Sequence, residues 1–219
     1  MPPVLPSQQN SAFSALRQFA RKPAAQERCE LCSHELAPEH DHLVEPANRK
    51  LICACGACAI LFDGQSGSKY KRVPRRVLYL RDFQMTDSQW DSLMVPIEMA
   101  FFFKSTLHGR VIALCPSPAG PMESLLSLDT WADIAQVNPV LDEMEADVVA
   151  VLVNRVGHAR GVAPAEYYLV PIDECYKLVG LIRSRWRGLS GGTEVWREIG
   201  DFFATLKRRA GFGDEAAYA

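Results

Sequence analysis

The sequence lacks any long hydrophobic run. No stretch of about 18 uncharged apolar residues occurs along the 219-residue chain, so we expect no transmembrane helix. Neither sign of charge dominates, because 24 Lys and Arg stand against 26 Asp and Glu, a formal net charge of −2. This balance excludes a generally basic nucleic-acid coat and a strongly acidic solvating chain. Proline and glycine, 14 of each, are too few for a low-complexity protein.

Targeting and catalytic signals are also missing. Residues 1–7 do not combine a basic segment with a following apolar segment, so we predict no signal peptide and a cytoplasmic protein. Neither the metalloprotease pattern H-E-x-x-H nor the dinucleotide pattern G-x-G-x-x-G occurs. We therefore assign no catalytic residue, and the sequence makes no case for an enzyme.

Cysteine is the residue type that is unevenly distributed. Five of the seven cysteines fall within thirty residues, whereas Cys115 and Cys175 stand alone among apolar neighbours. Isolated cysteines of that kind are most often buried and inert. In a reducing compartment, clustered thiols more often hold a metal ion than form disulfides.

Four of the clustered cysteines form two C-x-x-C pairs, Cys29 with Cys32 and Cys55 with Cys58. Two thiolates on one tight turn point at a common centre, and a second such turn completes a tetrahedron. The segment is too short to bury a sufficient core, so metal binding would supply its folding free energy. The spacing predicts a structural four-thiolate site. Zinc is the expected ion, and iron bound as in rubredoxin stays open as an alternative.

The ligand set has one ambiguity. Cys53-Ala54-Cys55, read as a strand, would place Cys53 on the same face as Cys55, so Cys53 could replace it. The histidines between the two pairs, His34, His40 and His42, are either additional ligands or part of a polar loop.

The same segment resembles the zinc-bearing HNH nucleases. The resemblance rests on His40-Asp41-His42 and Asn48 lying between the two cysteine pairs. In those enzymes a histidine activates water beside a catalytic divalent ion. The residues after Cys58, Ala59 to Phe62, depart from that pattern because they supply neither His nor Asn. Nuclease activity is therefore kept only as an alternative.

The rest of the chain predicts an α+β body: a mixed sheet with flanking helices, carrying a small N-terminal treble-clef or zinc-ribbon-like knuckle. Thr86 and Gln89 fit a helix capping box, and Asp173 and Thr193 are expected to cap two later helices. Residues 116–121 are expected to form an irregular loop. The predicted organisation is a flexible N-terminal segment with a short helix (1–24), a cysteine-rich knuckle (25–63), the body (69–210) and a loose tail (211–219).

Two surface segments are candidates for contacts with partners. Arg185 and Arg187 flank Trp186, and these residue types are enriched at protein interfaces. The basic residues between positions 69 and 76 could contact nucleic acid or protect a sheet edge. With the net charge of −2, a protein partner or a protected edge is favoured and nucleic acid is not expected.

Several motifs together resemble an uncharacterised bacterial protein family. They are Cys29–Cys32, Glu39–Leu43, Leu51–Cys58, Ala100–Phe103, Pro116–Pro118 with Glu123–Leu126, Val153–Arg155, Leu169–Asp173 and Gly188–Gly192. The similarity runs from about Cys29 to the last helix, and we associate the family with gene clusters for actinobacterial-type NiFe hydrogenases. This resemblance implies an accessory protein that acts by binding another protein, such as a hydrogenase component, in its assembly or support. If the metal were iron, it would imply an electron-relaying subunit.

Overall fold

The computed structural model describes residues 27–63, 68–95, 97–124 and 128–216. The predicted N-terminal segment, residues 1–24, and its short helix lie outside these ranges. Within them, no helix is both long and apolar enough to cross a membrane.

The cysteine-rich segment folds as a three-stranded antiparallel sheet followed by a short helix. Strands β1 (Asp41–Glu45) and β2 (Lys50–Ala54) form a hairpin, and β3 (Lys71–Arg72) pairs with the other edge of β1. Helix α1 (Gly56–Leu61) begins directly after β2. The inward residues of the hairpin, Leu43 and Ile52 among them, pack with two of the cysteines in a small apolar cluster.

A six-stranded sheet forms the centre of the body, in the order β4-β9-β8-β5-β6-β7. Its strands are β4 (Leu78–Tyr79), β5 (Met99–Ser105), β6 (Arg110–Ser117), β7 (Gly120–Glu123), β8 (Val149–Asn154) and β9 (Glu166–Pro171). The α+β class is confirmed, but the expected mixed sheet is wrong in strand direction. Every pairing of the described strands is antiparallel. For β5 and β6 a tight turn explains this direction: the turn ends at Gly109, whose φ of +60° suits glycine, and a link that short joins only antiparallel strands.

Helices cover both faces of this sheet. They are α2 (Asp87–Ser92), α3 (Leu128–Val137), α4 (Val156–Ala159), α5 (Ile172–Arg185) and α6 (Gly192–Ala216), with a 3-10 turn at Pro139–Glu143. Because side chains alternate along a strand, Phe101 faces the core under α5 and α6, and Phe102 faces the core under α2 and α3. Phe102 stacks on Trp131 of α3, with ring centroids 4.9 Å apart.

The predicted capping box at the start of α2 is confirmed. The Thr86 side chain accepts a hydrogen bond from the backbone N–H of Gln89, and the Gln89 side chain accepts one from the Thr86 backbone. Such caps satisfy backbone donors that the first helical turn leaves without partners.

Three local expectations are wrong. The loop expected at residues 116–121 is the hairpin of β6 and β7, which Gly120 makes possible with a φ of +121°. Asp173 and Thr193 are not caps, because α5 begins at Ile172 and α6 begins at Gly192, which places both residues inside their first turns.

Candidate metal centre

The structure brings the four cysteines of the two C-x-x-C pairs together. Their Sγ atoms all lie within 4.8 Å of one another, and those of Cys32 and Cys55 are 3.7 Å apart. A tetrahedral zinc ion with Zn–S bonds of about 2.3 Å needs sulfur atoms about 3.8 Å apart. Cys29, Cys32, Cys55 and Cys58, called here the four-cysteine cluster, are therefore spaced to hold one ion of this size.

Two different local structures present the two pairs. The first is a tight turn, in which the backbone N–H of Ser33 donates to the Cys29 carbonyl (2.8 Å) and Ser33 takes a φ of +63°. The second pair lies at the beginning of α1, where Cys55 is the N-cap residue and Cys58 is on the first turn. A tight turn, a β-hairpin and a helix that contributes the last two ligands form a treble clef. The cysteine spacing alone is compatible with either a treble clef or a zinc ribbon.

The electrostatics of the cluster differ between its members. Burial raises the pKa of Cys29, but the backbone N–H groups of Cys55, Leu31 and Cys32 donate to its sulfur and lower the pKa to about 6. Burial and neighbouring sulfur atoms raise the pKa of Cys58 to about 12. One thiolate is thus stabilised by the protein itself, and the others gain from a cation among them.

Cys53 packs beside the four-cysteine cluster but is not one of its four converging sulfur atoms. Strand β2 ends at Ala54, so Cys55 begins the helix and does not share a strand face with Cys53. Cys53 is instead the cross-strand partner of His42, and ligand atoms of His40, His42 and Cys53 lie within 4.8 Å of one another. We call these three residues the His–Cys cluster. The structure does not bring His34 into either cluster.

The sequence profile of one protein family matches residues 28–210, which span most of the chain, from the beginning of the knuckle to near the end of α6. The chain belongs to the family of unknown function DUF5947. No curated protein and no solved structure matches it significantly.

The arrangement in this DUF5947 chain does not reproduce an HNH nuclease centre. Asp41, which would help to hold the catalytic ion, is paired with the guanidinium groups of Arg72 (3.1 Å) and Arg75 (3.2 Å). The Nδ1 atom of His42 lies 2.9 Å from an Oδ atom of Asp173 on α5. Helix α1 contributes neither His nor Asn. The described residues of the knuckle therefore offer no clear counterpart of the nuclease helix ligands.

Trp186 lines an apolar groove on the body of this DUF5947 chain. The groove measures about 360 Å³, and its wall includes Trp196 and Ile97, which is 38% exposed. The two indole rings meet edge to face, with centroids 6.0 Å apart. Arg185 instead pairs with Glu198 (3.2 Å) on α6, and Arg187 is exposed. Of the three interface candidates, Trp186 is the one that lines the groove, here called the tryptophan groove.

The basic residues between positions 69 and 76 all lie close to carboxylates. The pairs are Lys69–Glu45, Lys71–Asp147, Arg72–Asp41, Arg75–Asp41 and Arg76–Glu143. Their charge is compensated within the protein, which weakens this segment as a phosphate-binding surface.

Two further groups of residues give no sign of catalysis. Cys115 and Cys175 are buried, and desolvation raises the pKa of both thiols. Residues 188–192 have the spacing G-x-S-x-G of a hydrolase nucleophile turn. That turn requires a strand before the serine, whereas this segment joins helix α5 to helix α6.

Proposed function

We propose that this protein is a metal-binding accessory protein that acts by docking to another protein. In this proposal the four-cysteine cluster holds one structural zinc ion, which fixes the knuckle. The observation that carries it is the spacing of the four sulfur atoms, all within 4.8 Å of one another on two separate turns. Free thiols clustered in this way are typical of a reducing compartment, which supports the proposal of a cytoplasmic protein.

The tryptophan groove is the proposed docking surface. Exposed apolar surface around tryptophan is characteristic of sites where a few residues provide most of the binding free energy. Trp186 and Trp196 line the groove, and the guanidinium of Arg160 lies 5.2 Å from the centre of the Trp196 ring. This arrangement suits an apolar side chain of a partner protein at its centre and a polar rim.

The proposed partner is a component of a NiFe hydrogenase, and its support is the resemblance described from the sequence. The test is a titration of purified hydrogenase subunits with the zinc-loaded protein. We expect Trp186→Ala to weaken binding by about tenfold or more. Leu107→Ala is the matched control, because Leu107 is 57% exposed and lies in the turn at the other end of β5. Equal affinity of wild type and Trp186→Ala would contradict docking at the groove, and no binding would contradict the partner.

Electron transfer is a second candidate, favoured by the exposure of Cys32. A four-thiolate iron ion with one exposed sulfur could exchange single electrons with a partner. Metal analysis with an absorbance spectrum separates the two candidates. Zinc without visible bands supports the structural role, whereas stoichiometric iron with strong charge-transfer bands supports the electron carrier.

A further inference from the structure

The His–Cys cluster lies on the face of the β1–β2 hairpin that is turned toward the body. Leu43 and Ile52, which alternate with its members along the strands, pack on the other face with the four-cysteine cluster. Val44, on the same face as His42, belongs to the core beneath α5 and α6. His42 and Cys53 therefore share one face of the hairpin, although Cys53 also packs against the small apolar cluster of the knuckle.

Both histidines are oriented through their Nδ1 atoms. Nδ1 of His42 is 2.9 Å from the Asp173 carboxylate, and Nδ1 of His40 is 3.0 Å from the Ala37 carbonyl oxygen. Each contact fixes the tautomer that donates from Nδ1, which leaves the lone pair on Nε2. Metal-binding histidines in proteins are almost always oriented in this way by a carboxylate or a carbonyl.

The Nε2 atom of His40 is the observation that points to a ligand. The His40 side chain is only 7% exposed, and its Nε2 is buried without a hydrogen-bond partner among the described residues. A buried acceptor left in this state destabilises the folded protein unless something binds it. Ligand atoms of His42 and Cys53 lie within 4.8 Å, so the three groups converge on one position.

We propose that His40, His42 and Cys53 bind a second zinc ion. The ion would have three protein ligands and an open fourth coordination position. Two imidazoles and one thiolate are a donor set that zinc accepts, and three protein ligands are typical of sites that keep a position for water or an added ligand. Asp173 acts as the positioning residue for His42.

A cavity of about 610 Å³ adjoins the proposed site. It lies between the knuckle and the helices α5 and α6, and all three proposed ligands line it. Its wall carries charges of both signs, Arg75, Lys177 and Arg209 with Glu27, Glu39, Asp173 and Glu174. A fourth ligand can therefore reach the metal from the cavity.

Zinc stoichiometry of the full chain is the first test. We expect wild type to hold two equivalents after saturation with Zn²⁺ and removal of weakly bound ion, and His40→Ala and Cys53→Ser to hold one. The matched control is His34→Ala, an exposed histidine outside both clusters, which should keep two. One equivalent in wild type, or two in both cluster variants, would overturn the proposal.

Alkylation of Cys53 tests the site without relying on stoichiometry. In wild type, Zn²⁺ should slow alkylation of Cys53 by about tenfold or more, because a metal-bound thiolate is no longer free to react. His40→Ala should lose this protection while Cys29 and Cys58 stay protected, which shows that the knuckle is folded. Equal protection of Cys53 in wild type and His40→Ala would overturn the proposal.

Cobalt tests the open position. When Co²⁺ replaces zinc, azide should shift the visible ligand-field bands of wild type and leave those of Cys53→Ser unchanged, because four-thiolate cobalt has no free position. If azide leaves the wild-type bands unchanged, the fourth position is not open.

Discussion

The N-cap position of Cys55 explains how a short segment tolerates four sulfur ligands. The backbone N–H groups at the beginning of a helix favour negative charge, and Cys55 and Cys58 are both at the beginning of α1. On the opposite turn, Leu31 and Cys32 donate backbone N–H groups to Cys29. The protein thus compensates part of the thiolate charge, and the metal ion compensates the rest.

The first prediction follows from this division between ligands. Cys32→Ser and Cys58→Ser should lose the four-thiolate ion and unfold the knuckle, because metal binding supplies its folding free energy. Cys53→Ser should keep that ion. The charge-transfer absorbance of the cobalt-substituted protein measures how much of the four-thiolate ion each variant keeps. Equal loss of the four-thiolate signal in all three variants would show that the ligands are wrongly assigned.

A second prediction concerns Asp87 in the first turn of α2. Hydrogen bonds from Arg155 (2.5 Å) and His158 (3.0 Å) lower the pKa of this carboxyl below its usual value of 3.8. The folded state therefore binds fewer protons than the unfolded state in acid, so the stabilisation is present above pH 3.8 and is lost as the pH falls through the lowered pKa.

Urea unfolding of wild type and Asp87→Asn at several pH values tests whether this stabilisation is lost as the pH falls. The variant should be less stable than wild type at pH 6, and the gap should narrow as the pH falls below 3.8. Asp91→Asn, the same change at another exposed carboxyl of this helix, is the matched control. If the difference in the free energy of unfolding between wild type and Asp87→Asn does not change with pH, the lowered pKa of Asp87 is contradicted.

The roles of Cys53 and Asp173 could not be predicted from the sequence alone. The spacing of the C-x-x-C pairs was enough to predict which four sulfur atoms meet. The role of Cys53 depended on β2 ending one residue earlier than a simple strand pattern suggests. Asp173 looked like a helix cap, but its partner is His42, 131 positions earlier. Only the tertiary fold brings these two residues together.

The link between α5 and α6 leaves no room for a side chain at Gly191. Gly191 has a φ of +85°, and a Cβ at this position would lie 2.8 Å from a methyl group of Val195 and 3.0 Å from the Trp186 ring. Gly188 has a φ of +61°, but a Cβ added to it would lie in open space. The close approach at Gly191 holds Trp186 against α6 and so shapes the tryptophan groove.

The third prediction compares alanine at these two glycines. Gly188→Ala should cost about 1–2 kcal/mol of folding free energy, the cost of left-handed backbone for a residue with a Cβ. Gly191→Ala should cost more, about 3 kcal/mol, because steric overlap adds to that strain. Chemical denaturation measures both. Equal costs would contradict the packing of Trp186 on Gly191.

Elements were predictable from the sequence where hydrophobic pattern and turn residues agreed. The buried strands β5 and β8 and the capping box of α2 follow from local pattern. The hairpin of β6 and β7 was missed because Pro116, Pro118 and Pro121 suggest a loop. In the structure Pro116 and Pro121 are cross-strand partners, and the Ser117 hydroxyl donates to the Gly120 carbonyl to close the turn.

On the scale of the whole molecule, the knuckle and the sheet depend on different sources of stability. The body has an apolar core on each face of its sheet, whereas the knuckle cluster is small and built around cysteine. Side-chain contacts such as His42 with Asp173 and Lys71 with Asp147 join the two parts.

The fourth prediction is that metal removal unfolds the knuckle and leaves the sheet intact. After treatment with a strong chelator, amide hydrogen exchange should rise across residues 28–63, while β5, β8 and β9 stay protected. The metal-loaded protein is the reference. Loss of protection across both parts together would show that the metal stabilises the molecule as a single cooperative unit.

The α+β class and the position of the knuckle were predictable because they follow from composition and cysteine spacing. The antiparallel order of six strands was not, since strand partners far apart in sequence, such as β4 and β9, carry no local signal of their pairing. Of the residues that line the tryptophan groove, only Trp186 was named from the sequence as an interface candidate. Trp196 and Ile97 join it through tertiary packing.

X-ray absorption at the metal edge of protein purified without oxygen tests the central claim most directly. Cys53→Ser is the form to measure, because it isolates the four-cysteine cluster. The account predicts one ion per chain with four sulfur neighbours at about 2.3 Å. A chain without a stoichiometric ion, or an ion surrounded mainly by nitrogen and oxygen, would contradict it.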